Sequence, residues 1–156
     1  MNSNLQVLEK FYSSFKSLDG QGMSECYHES VQFSDPVFPD LKGAMASSMW
    51  KMLCSEARDF ELTFHSLQAD EKKGQAHWEA KYCFSKTGRS VHNKVFAEFE
   101  FQDGKIIRHR DHFSFWKWSS MALGPVGLVL GWSPLIKNEV KKLANKGLMR
   151  FTNKTN

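Results

Sequence analysis

Apolar and polar positions follow a helical pattern in the first third of the chain. Apolar side chains recur every three or four residues over 4–18 and again over 43–57, which predicts two amphipathic helices. A shorter helix is predicted over about 22–27. Between these helices, residues 31–34 alternate β-branched or aromatic residues with polar ones, and this alternation predicts a strand.

After residue 58 the pattern changes to alternation, with apolar residues at every second position. It predicts four long strands joined by short polar turns that contain Gly74, Gly88 and Gly104. Glycine accepts the positive φ that a tight hairpin requires, so consecutive strands are expected to pair antiparallel. The alternating segments are 60–64, 78–84, 91–101 and 107–115.

The order of these elements predicts an α+β fold, in which three helices cover one face of one curved sheet. The chain has 156 residues, close to the commonest size of a single domain. Its sequence contains no internal repeat and no flexible linker. We therefore expect one domain over 1–156, with its core at 4–118 and a C-terminal helical extension at 119–150.

Aromatic residues and a basic C-terminal segment distinguish the composition. The chain contains thirteen Phe and five Trp, enough aromatic bulk to line a cavity as well as fill a core. Its net charge is +4, and in the last twenty residues six basic side chains oppose only Glu139. The rest of the chain is nearly balanced, so we expect no nucleic-acid partner. We interpret the basic segment as a solvated helix face or a weak contact with an anionic surface.

The cysteines and the apolar stretches of the sequence indicate in which cellular compartment the protein is expected. Cys26, Cys54 and Cys83 lack the spacing of a zinc site or a disulfide framework, so we expect free thiols, no metal and a reducing compartment. The N-terminus lacks the basic and apolar regions of a signal peptide. The longest apolar stretch, 121–136, is interrupted by glycine and proline, so no membrane span is expected. A cytoplasmic location follows as the expectation.

Three motifs occur in a recognisable order. The run F-x-D-P at Phe33–Pro36 precedes a helix that begins at Gly43, GR-x-V follows at 88–91, and GKIIRHRDHFSFW occupies 104–116. Together with the order of elements, these motifs resemble the nuclear transport factor 2-like superfamily, and within it the SnoaL-like and ketosteroid-isomerase-like bacterial proteins. The resemblance covers residues 4 to about 118.

This resemblance implies a cone-shaped α+β fold with a curved, mainly antiparallel sheet. The sheet would wrap a deep apolar pocket for a small, largely apolar ligand, and the chain would form a homodimer through the outer sheet face. No cofactor is implied. Members of the superfamily include isomerases, cyclases, dehydratases and epoxide hydrolases, but also non-catalytic binding and dimerisation modules, so the fold alone does not decide the function.

Asp35 matches the acid that serves as the general base in ketosteroid isomerases. An apolar pocket makes a carboxylate more basic and keeps water away from it. The alternative is structural, since an Asp before a Pro ends a strand and supports a turn. In the same comparison Phe11 and Ala97 replace the Tyr and the acid of the oxyanion hole. Strict steroid isomerase activity is therefore not expected.

His109 and Asp111 are two residues apart on the last predicted strand, so they share one face of the sheet. If Ile107 and Phe113 face the pocket, this pair faces it as well. It would then be a second acid/base unit, as the resemblance to SnoaL-like cyclases and related hydrolases implies. The alternative is a structural His–Asp pair. His112 faces the other way, so the cluster is not expected to bind a metal.

The remaining candidate site residues would bind the ligand. Tyr82 or Asn93 could donate a hydrogen bond to an oxygen of the ligand. An aromatic and apolar wall would surround it, although such residues are more often core than ligand contacts. This wall comprises Phe11, Trp50, Trp78, Phe84 and Ala97.

Residues Gly124–Gly131 are too rich in glycine for a stable isolated helix. If exposed, their apolar side chains would favour association with another apolar surface. We expect this segment to pack across the mouth of the pocket or against a dimer partner.

Overall fold

The computed structural model describes residues 3–155 of the chain. Helices and strands follow one another along it in the order α–α–β–β–α–β–β–β–β–α–α–α. They are α1 Ser3–Lys16, α2 Gly20–Glu25, β1 Tyr27–Ser34, β2 Leu41–Lys42, α3 Ala44–Glu56, β3 Glu61–Ala69, β4 Lys73–Phe84, β5 Arg89–Gln102, β6 Lys105–His112, α4 Phe115–Leu123, α5 Pro125–Leu130 and α6 Pro134–Thr155.

The strands form one curved sheet in the order β2-β1-β6-β5-β4-β3. Neighbouring strands are antiparallel except β1 and β6, which run parallel. The predicted α+β class with a mainly antiparallel sheet is confirmed. The two-residue strand β2 was not predicted, because two residues are too few to show an alternation.

The core lies between the sheet and the first three helices, where aromatic side chains contact one another. The rings of Phe11 and Phe15 each pack edge to face against Trp50, with centroids 5.6 and 5.1 Å from it. Phe11 also packs against Phe99 of β5. These four side chains are at most 3% exposed. Each such buried ring stabilises the fold by about 2–3 kcal/mol, so this aromatic cluster is a main source of stability.

The boundaries of several elements differ from the sequence-based predictions by a few residues. The second helix begins at Gly20 instead of about 22, because Asp19 caps it: the Gly22 N–H donates to Asp19 Oδ1 at 2.9 Å. The last strand ends at His112 instead of 115. Ser114 ends the extended segment by capping α4, where its Oγ accepts a hydrogen bond from the Lys117 N–H at 3.2 Å.

The three glycines predicted to lie in turns between the long strands have two different roles. Asp103 and Gly104 both have positive φ, 54° and 73°, as the two-residue turn of a tight hairpin requires. Gly88 also has positive φ. The same prediction is wrong for Gly74, which lies inside β4 at ordinary extended geometry. Glycine is required there for space, since a Cβ would lie 2.9 Å from the Phe101 ring.

The C-terminal extension begins on the helix-covered face of the sheet. In α4, Phe115, Trp118 and Ala122 are buried and form an apolar cluster with Val91 of β5. The Trp118 indole N–H donates to the Tyr82 hydroxyl at 2.9 Å. Helix α4 therefore covers the end of the sheet around Val91 and Tyr82.

The segment 124–131 does not pack across the end of the sheet, which was one of the two places predicted for it; contact with a dimer partner stays a prediction. Helix α5 leaves its apolar side chains in solvent instead of burying them against the sheet, and Val126, Leu128 and Val129 are more than half exposed. Helix α4 covers this end of the sheet instead. No helix within residues 3–155 has both the length and the apolar character needed to cross a bilayer.

Candidate acid/base site

A continuous chain of hydrogen bonds joins four buried side chains from three elements. The Trp50 indole N–H donates to the Tyr27 hydroxyl at 2.7 Å. The Tyr27 hydroxyl is 2.7 Å from His109 Nδ1, and His109 Nε2 is 2.8 Å from Asp111 Oδ1. All four residues are at most 5% exposed. We call this arrangement the buried relay.

The hydrogen-bonding capacity of each group assigns the protons of the buried relay. Trp50 can only donate, so the Tyr27 oxygen accepts from it and the single Tyr27 hydrogen points to His109 Nδ1. The hydrogen of a neutral imidazole then lies on Nε2 and is donated to the Asp111 carboxylate. A doubly protonated His109 would leave the Tyr27 hydrogen without an acceptor among residues 3–155. Both nitrogens of His109 are therefore used within the protein.

Aromatic rings enclose the imidazole of His109 on several sides. The ring centroids of Phe99 and Phe33 lie 4.4 and 5.0 Å from that of His109. The Trp50 indole stacks on it at 5.9 Å, with 9° between the planes. The strand register explains this environment, since Phe99 and Phe33 are the Cα partners of His109 on the two neighbouring strands.

Asp35 lies directly beyond the end of β1. The parallel register pairs Ser34 with Arg110 on β6, so the next residues, Asp35 and Asp111, fall at neighbouring positions of the two strands. Adjacent strands are about 4.8 Å apart. The structure thus brings Asp35 to the acidic end of the buried relay.

The Asp35 carboxylate also supports a turn. Its Oδ1 accepts hydrogen bonds from the backbone N–H groups of Val37 and Phe38, at 2.7 and 2.6 Å. The Asp35 N–H donates to the Phe38 carbonyl oxygen at 2.9 Å. This is the turn geometry expected of an Asp that precedes a Pro.

The pKa of Asp35 is raised from 3.8 to about 7. Desolvation of the carboxyl group is the largest cause, because removal from water disfavours the charged form, although Asp35 as a whole is only partly buried. The N–H groups of Phe38 and Val37 lower the pKa, and the negative charge of Asp111 raises it. Near neutral pH both the acid and the carboxylate are populated, so this carboxyl group can either give or accept a proton.

Tyr12 is a residue of this region that the sequence reasoning missed. Its ring contacts that of Phe11, with centroids 5.2 Å apart, and both side chains are fully buried. Burial raises the pKa of Tyr12 well above its usual range, and the charge of Asp111 raises it further. The spacing from Leu8 to Phe15, which includes Tyr12 at a helical position, is the sequence signal that could have revealed it.

The hydroxyl group of Tyr12 is buried and has no hydrogen-bond partner among the described residues. An unsatisfied buried hydroxyl costs about 1–3 kcal/mol. The donor is therefore unused within the part of the chain that the structure describes.

Phe11 and Ala97, which stand where the resemblance implies a Tyr and an acid, thus have polar neighbours. Asp111 is the Cα partner of Ala97, so a carboxyl group lies one strand away from the missing acid. Tyr12 follows Phe11, where the resemblance implies a missing Tyr hydroxyl. Both polar groups are buried on the helix-covered face.

Tyr82 and Asn93 lie nearer to α4 than the buried relay does. The charge of Asp35 contributes to the raised pKa of Tyr82, after burial as the largest cause. Asn93 is 9% exposed and lies on the buried face of β5. Both side chains thus carry a polar group near the region that α4 covers.

The predicted ligand wall consists of residues that pack against one another. Phe11 and Trp50 belong to the aromatic cluster, and Ala97 is fully buried beside it. Trp78 contacts Phe15, with centroids 5.3 Å apart, and Phe84 contacts Trp118 at 5.4 Å.

Two open cavities lie away from the carboxyl group of Asp35. One of about 540 Å³ is on the outer sheet face and includes Glu98, Arg108 and Arg110. The other, about 510 Å³, lies near Gly43 and Asp103. Neither is lined by Asp35, His109 or Asp111. Within residues 3–155 no group of three His, Cys, Asp or Glu side chains is arranged to hold a metal ion.

Comparison with protein families finds a match over most of this fold. The model of the SnoaL-like domain matches residues 8–109. This range contains Asp35, Asn93 and His109, and it ends before Asp111 and the C-terminal helices. The comparison with curated proteins finds no match to the chain.

Solved structures with the same fold have low sequence identity to the chain. An LEH-like epoxide hydrolase of M. tuberculosis is 18% identical with a TM-score of 0.63, over 86% of this chain and 95% of that one. A protein from Silicibacter sp. TM1040 assigned as a polyketide cyclase is 15% identical with a TM-score of 0.66, over 77% and 95%. A Catenulispora acidiphila protein with a ketosteroid isomerase-like fold, bound to trimethylamine, is 7% identical with a TM-score of 0.66, over 76% and 93%.

Proposed function

The chain belongs to the SnoaL-like domain family, and on that premise we propose that it is a cofactor-independent acid/base enzyme. Its substrate would be a small, largely apolar compound with a carbonyl or hydroxyl group, and the reaction an isomerisation, cyclisation or hydrolysis. The observation that carries this proposal is the position of the Asp35 carboxyl group at the end of β1, next to the buried His109–Asp111 pair; burial, and after it the charge of Asp111, raise its pKa to about 7.

Asp35 is the proton acceptor in this proposal. It would remove a proton from a carbon next to a carbonyl, from a hydroxyl group or from water. A carboxyl group that titrates near neutral pH can then return the proton to another position of the same substrate. The hydroxyl of Tyr12 would donate to the oxygen on which negative charge develops.

His109 and Asp111 have different roles in the proposal. Both nitrogens of His109 are bonded inside the protein, so His109 acts through Asp111 and is a positioning residue. The Nε2–H of His109 stabilises the charge on Asp111, and that charge raises the pKa of Asp35. Burial is the larger cause of the raised pKa, and the charge of Asp111 adds to it, so that Asp35 is basic enough to accept a proton at neutral pH.

The ligand would bind between Asp35 and α4, where Tyr82 and Asn93 carry polar groups. Trp118 covers this region through its hydrogen bond to Tyr82. Access would then require α4 to move away from Val91. The predicted contacts with Phe11, Trp50, Trp78, Phe84 and Ala97 remain part of the proposal.

Homodimerisation through the outer sheet face is also proposed. The cavity of about 540 Å³ on this face offers a concave surface, and charged side chains such as Arg108 and Glu100, which pair at 3.1 Å, surround it. A reducing, cytoplasmic location is supported by three cysteines that form no disulfide.

The alternative function is a non-catalytic ligand-binding or dimerisation module of the same fold. Two observations favour it: Asp35 already supports a turn, and neither open cavity is lined by Asp35, His109 or Asp111. In that case the buried relay would only hold strands and helices together.

Hydrogen exchange in D₂O distinguishes the two functions. Small ketones, enones and hydroxyketones are incubated with the protein, and NMR records deuterium uptake next to the carbonyl. The wild type is expected to catalyse uptake, and Asp35→Asn to reduce its rate by about 100-fold or more. Asp40→Asn, an exposed acid of the same loop, is the matched control and should retain the rate. Equal rates in the two variants would contradict the role of Asp35.

A further inference from the structure

A cluster of exposed apolar side chains extends from α5 to the first turn of α6. We call it the apolar patch. Each of its members is 41% to 68% exposed, which is unusual for large apolar residues that follow one another so closely. The members are Val126, Leu128, Val129, Leu130, Trp132 and Leu135.

The backbone beneath the apolar patch is held in place. Gly127 lies so close to the Ser119 carbonyl group that a Cβ at this position would collide with it. The indole N–H groups of Trp116 and Trp132 donate to the carbonyl oxygens of Leu128 and Val129, at 3.1 and 2.7 Å. The exposed side chains are thus presented by an ordered, hydrogen-bonded segment.

A basic helix face continues from the apolar patch. Leu135, Lys142, Lys146 and Arg150 are exposed and lie on one side of α6 by helical spacing, whereas Leu148 on the other side is fully buried. None of these three cations forms an ion pair with an acidic side chain within residues 3–155. Glu139 is the single acidic residue of α6.

We propose that the apolar patch and the basic face of α6 together bind the surface of an anionic lipid bilayer. Apolar side chains next to exposed Lys and Arg are the combination that interfacial helices use, with the apolar residues among the acyl chains and the cations at the headgroups. Trp132 fits this interface because indole rings favour the boundary between lipid and water.

The charge of α6 favours an anionic bilayer over a second copy of the chain. A two-fold contact through this surface would bring the same patch of both copies together. The basic faces around Lys142 and Lys146 would then repel each other. An anionic bilayer instead attracts these charges, by about 1 kcal/mol for each cation near its surface.

Flotation with lipid vesicles tests the proposal. The full chain is mixed with phosphatidylcholine vesicles that either contain or lack phosphatidylserine. Wild-type protein is expected to float with the anionic vesicles and only weakly with the neutral ones. Lys142→Glu combined with Lys146→Glu should weaken binding by about thirtyfold or more. Lys16→Glu combined with Lys72→Glu, which changes the net charge equally at exposed sites elsewhere, should leave binding nearly unchanged.

A second pair of variants tests the apolar contribution. Val129→Asp and Leu135→Asp, at the two positions 63% and 68% exposed, should each abolish flotation without lowering the melting temperature. The proposal is overturned if the wild type fails to bind anionic vesicles or if the two charge-reversal variants bind equally. It is also overturned if Val129→Asp converts a dimer to a monomer in the absence of vesicle binding, since the surface would then belong to a second copy.

Discussion

Asp35 and Asp111 each follow the last registered pair of the parallel strands β1 and β6, Ser34 and Arg110, although the two aspartates are far apart in the sequence. The register of β1 and β6 places them side by side, and the charge of Asp111 contributes to the raised pKa of Asp35. His109 donates to the same Asp111 carboxylate from the interior. An apolar region therefore contains one carboxylate held by an imidazole and a second carboxyl group that titrates near pH 7.

The stability of the protein should depend on Asp35 at alkaline pH. Its pKa in the folded state, about 7, is above the unfolded value of 3.8, so ionisation opposes folding. The penalty is absent below the unfolded pKa, grows as the pH rises between the two values and is complete above about 7. It amounts to at most about 4 kcal/mol.

Asp35→Asn should consequently stabilise the protein at pH 8, by up to about 4 kcal/mol, and change little at pH 4. The Asn side-chain oxygen can still accept from the Val37 and Phe38 N–H groups. Urea unfolding at both pH values measures the difference, with Asp40→Asn as the control. A loss of stability at pH 8 would mean that the turn needs the carboxylate.

The hydroxyl groups of Tyr27 and Tyr12 should contribute to stability in opposite directions. Tyr27 bonds to both Trp50 and His109, so Tyr27→Phe should destabilise the protein by about 1–3 kcal/mol. Tyr12 has no partner among the described residues, so Tyr12→Phe should be neutral or stabilising. Each substitution removes one oxygen atom from a buried ring, which makes each variant the control for the other. An equal loss of unfolding free energy in the two variants, measured by urea unfolding, would contradict the hydrogen bonds of the buried relay.

Trp118 should control access to the region around Tyr82 and Asn93. Trp118→Phe removes the hydrogen bond to Tyr82 and leaves most of the apolar contact with Val91 and Phe84. We expect faster cleavage by proteases within 114–124, while the melting temperature falls by only a few degrees. Lys117→Ala, an exposed change in the same helix, serves as the control. Cleavage at the control rate would show that this bond does not hold α4 in place.

Much of the fold was predictable because its elements are long and periodic. The alternation over β5 predicted an inward-facing Asn93, and the alternation over β6 predicted an inward-facing His109–Asp111 pair on the condition that Ile107 faces inward. These three residues are buried, but a register shift between β5 and β6 makes Ile106, and not Ile107, the fully buried isoleucine. The helical spacing in α1 and α3 likewise predicted their buried sides. These patterns are local, so they can be read from a single sequence.

The contacts between distant elements could not be predicted in the same way. The parallel pairing of β1 with β6 depends on tertiary structure, and it determines that Asp35 lies beside Asp111. The bond from Tyr27 to His109 joins residues 82 positions apart. The sequence also left open whether α5 packs on the sheet or against a partner, because an apolar segment with several glycines looks the same in both cases.

The titration of Asp35 tests the central claim most directly, because it requires no substrate. Carboxyl ¹³C chemical shifts are recorded against pH for the wild type and for Asp111→Asn, with Asp35→Asn used to assign the signal. The account predicts a midpoint near pH 7 in the wild type and a lower midpoint in Asp111→Asn, because one of the causes of the raised pKa is removed. A wild-type midpoint near 4, or one that Asp111→Asn leaves unchanged, would contradict the account.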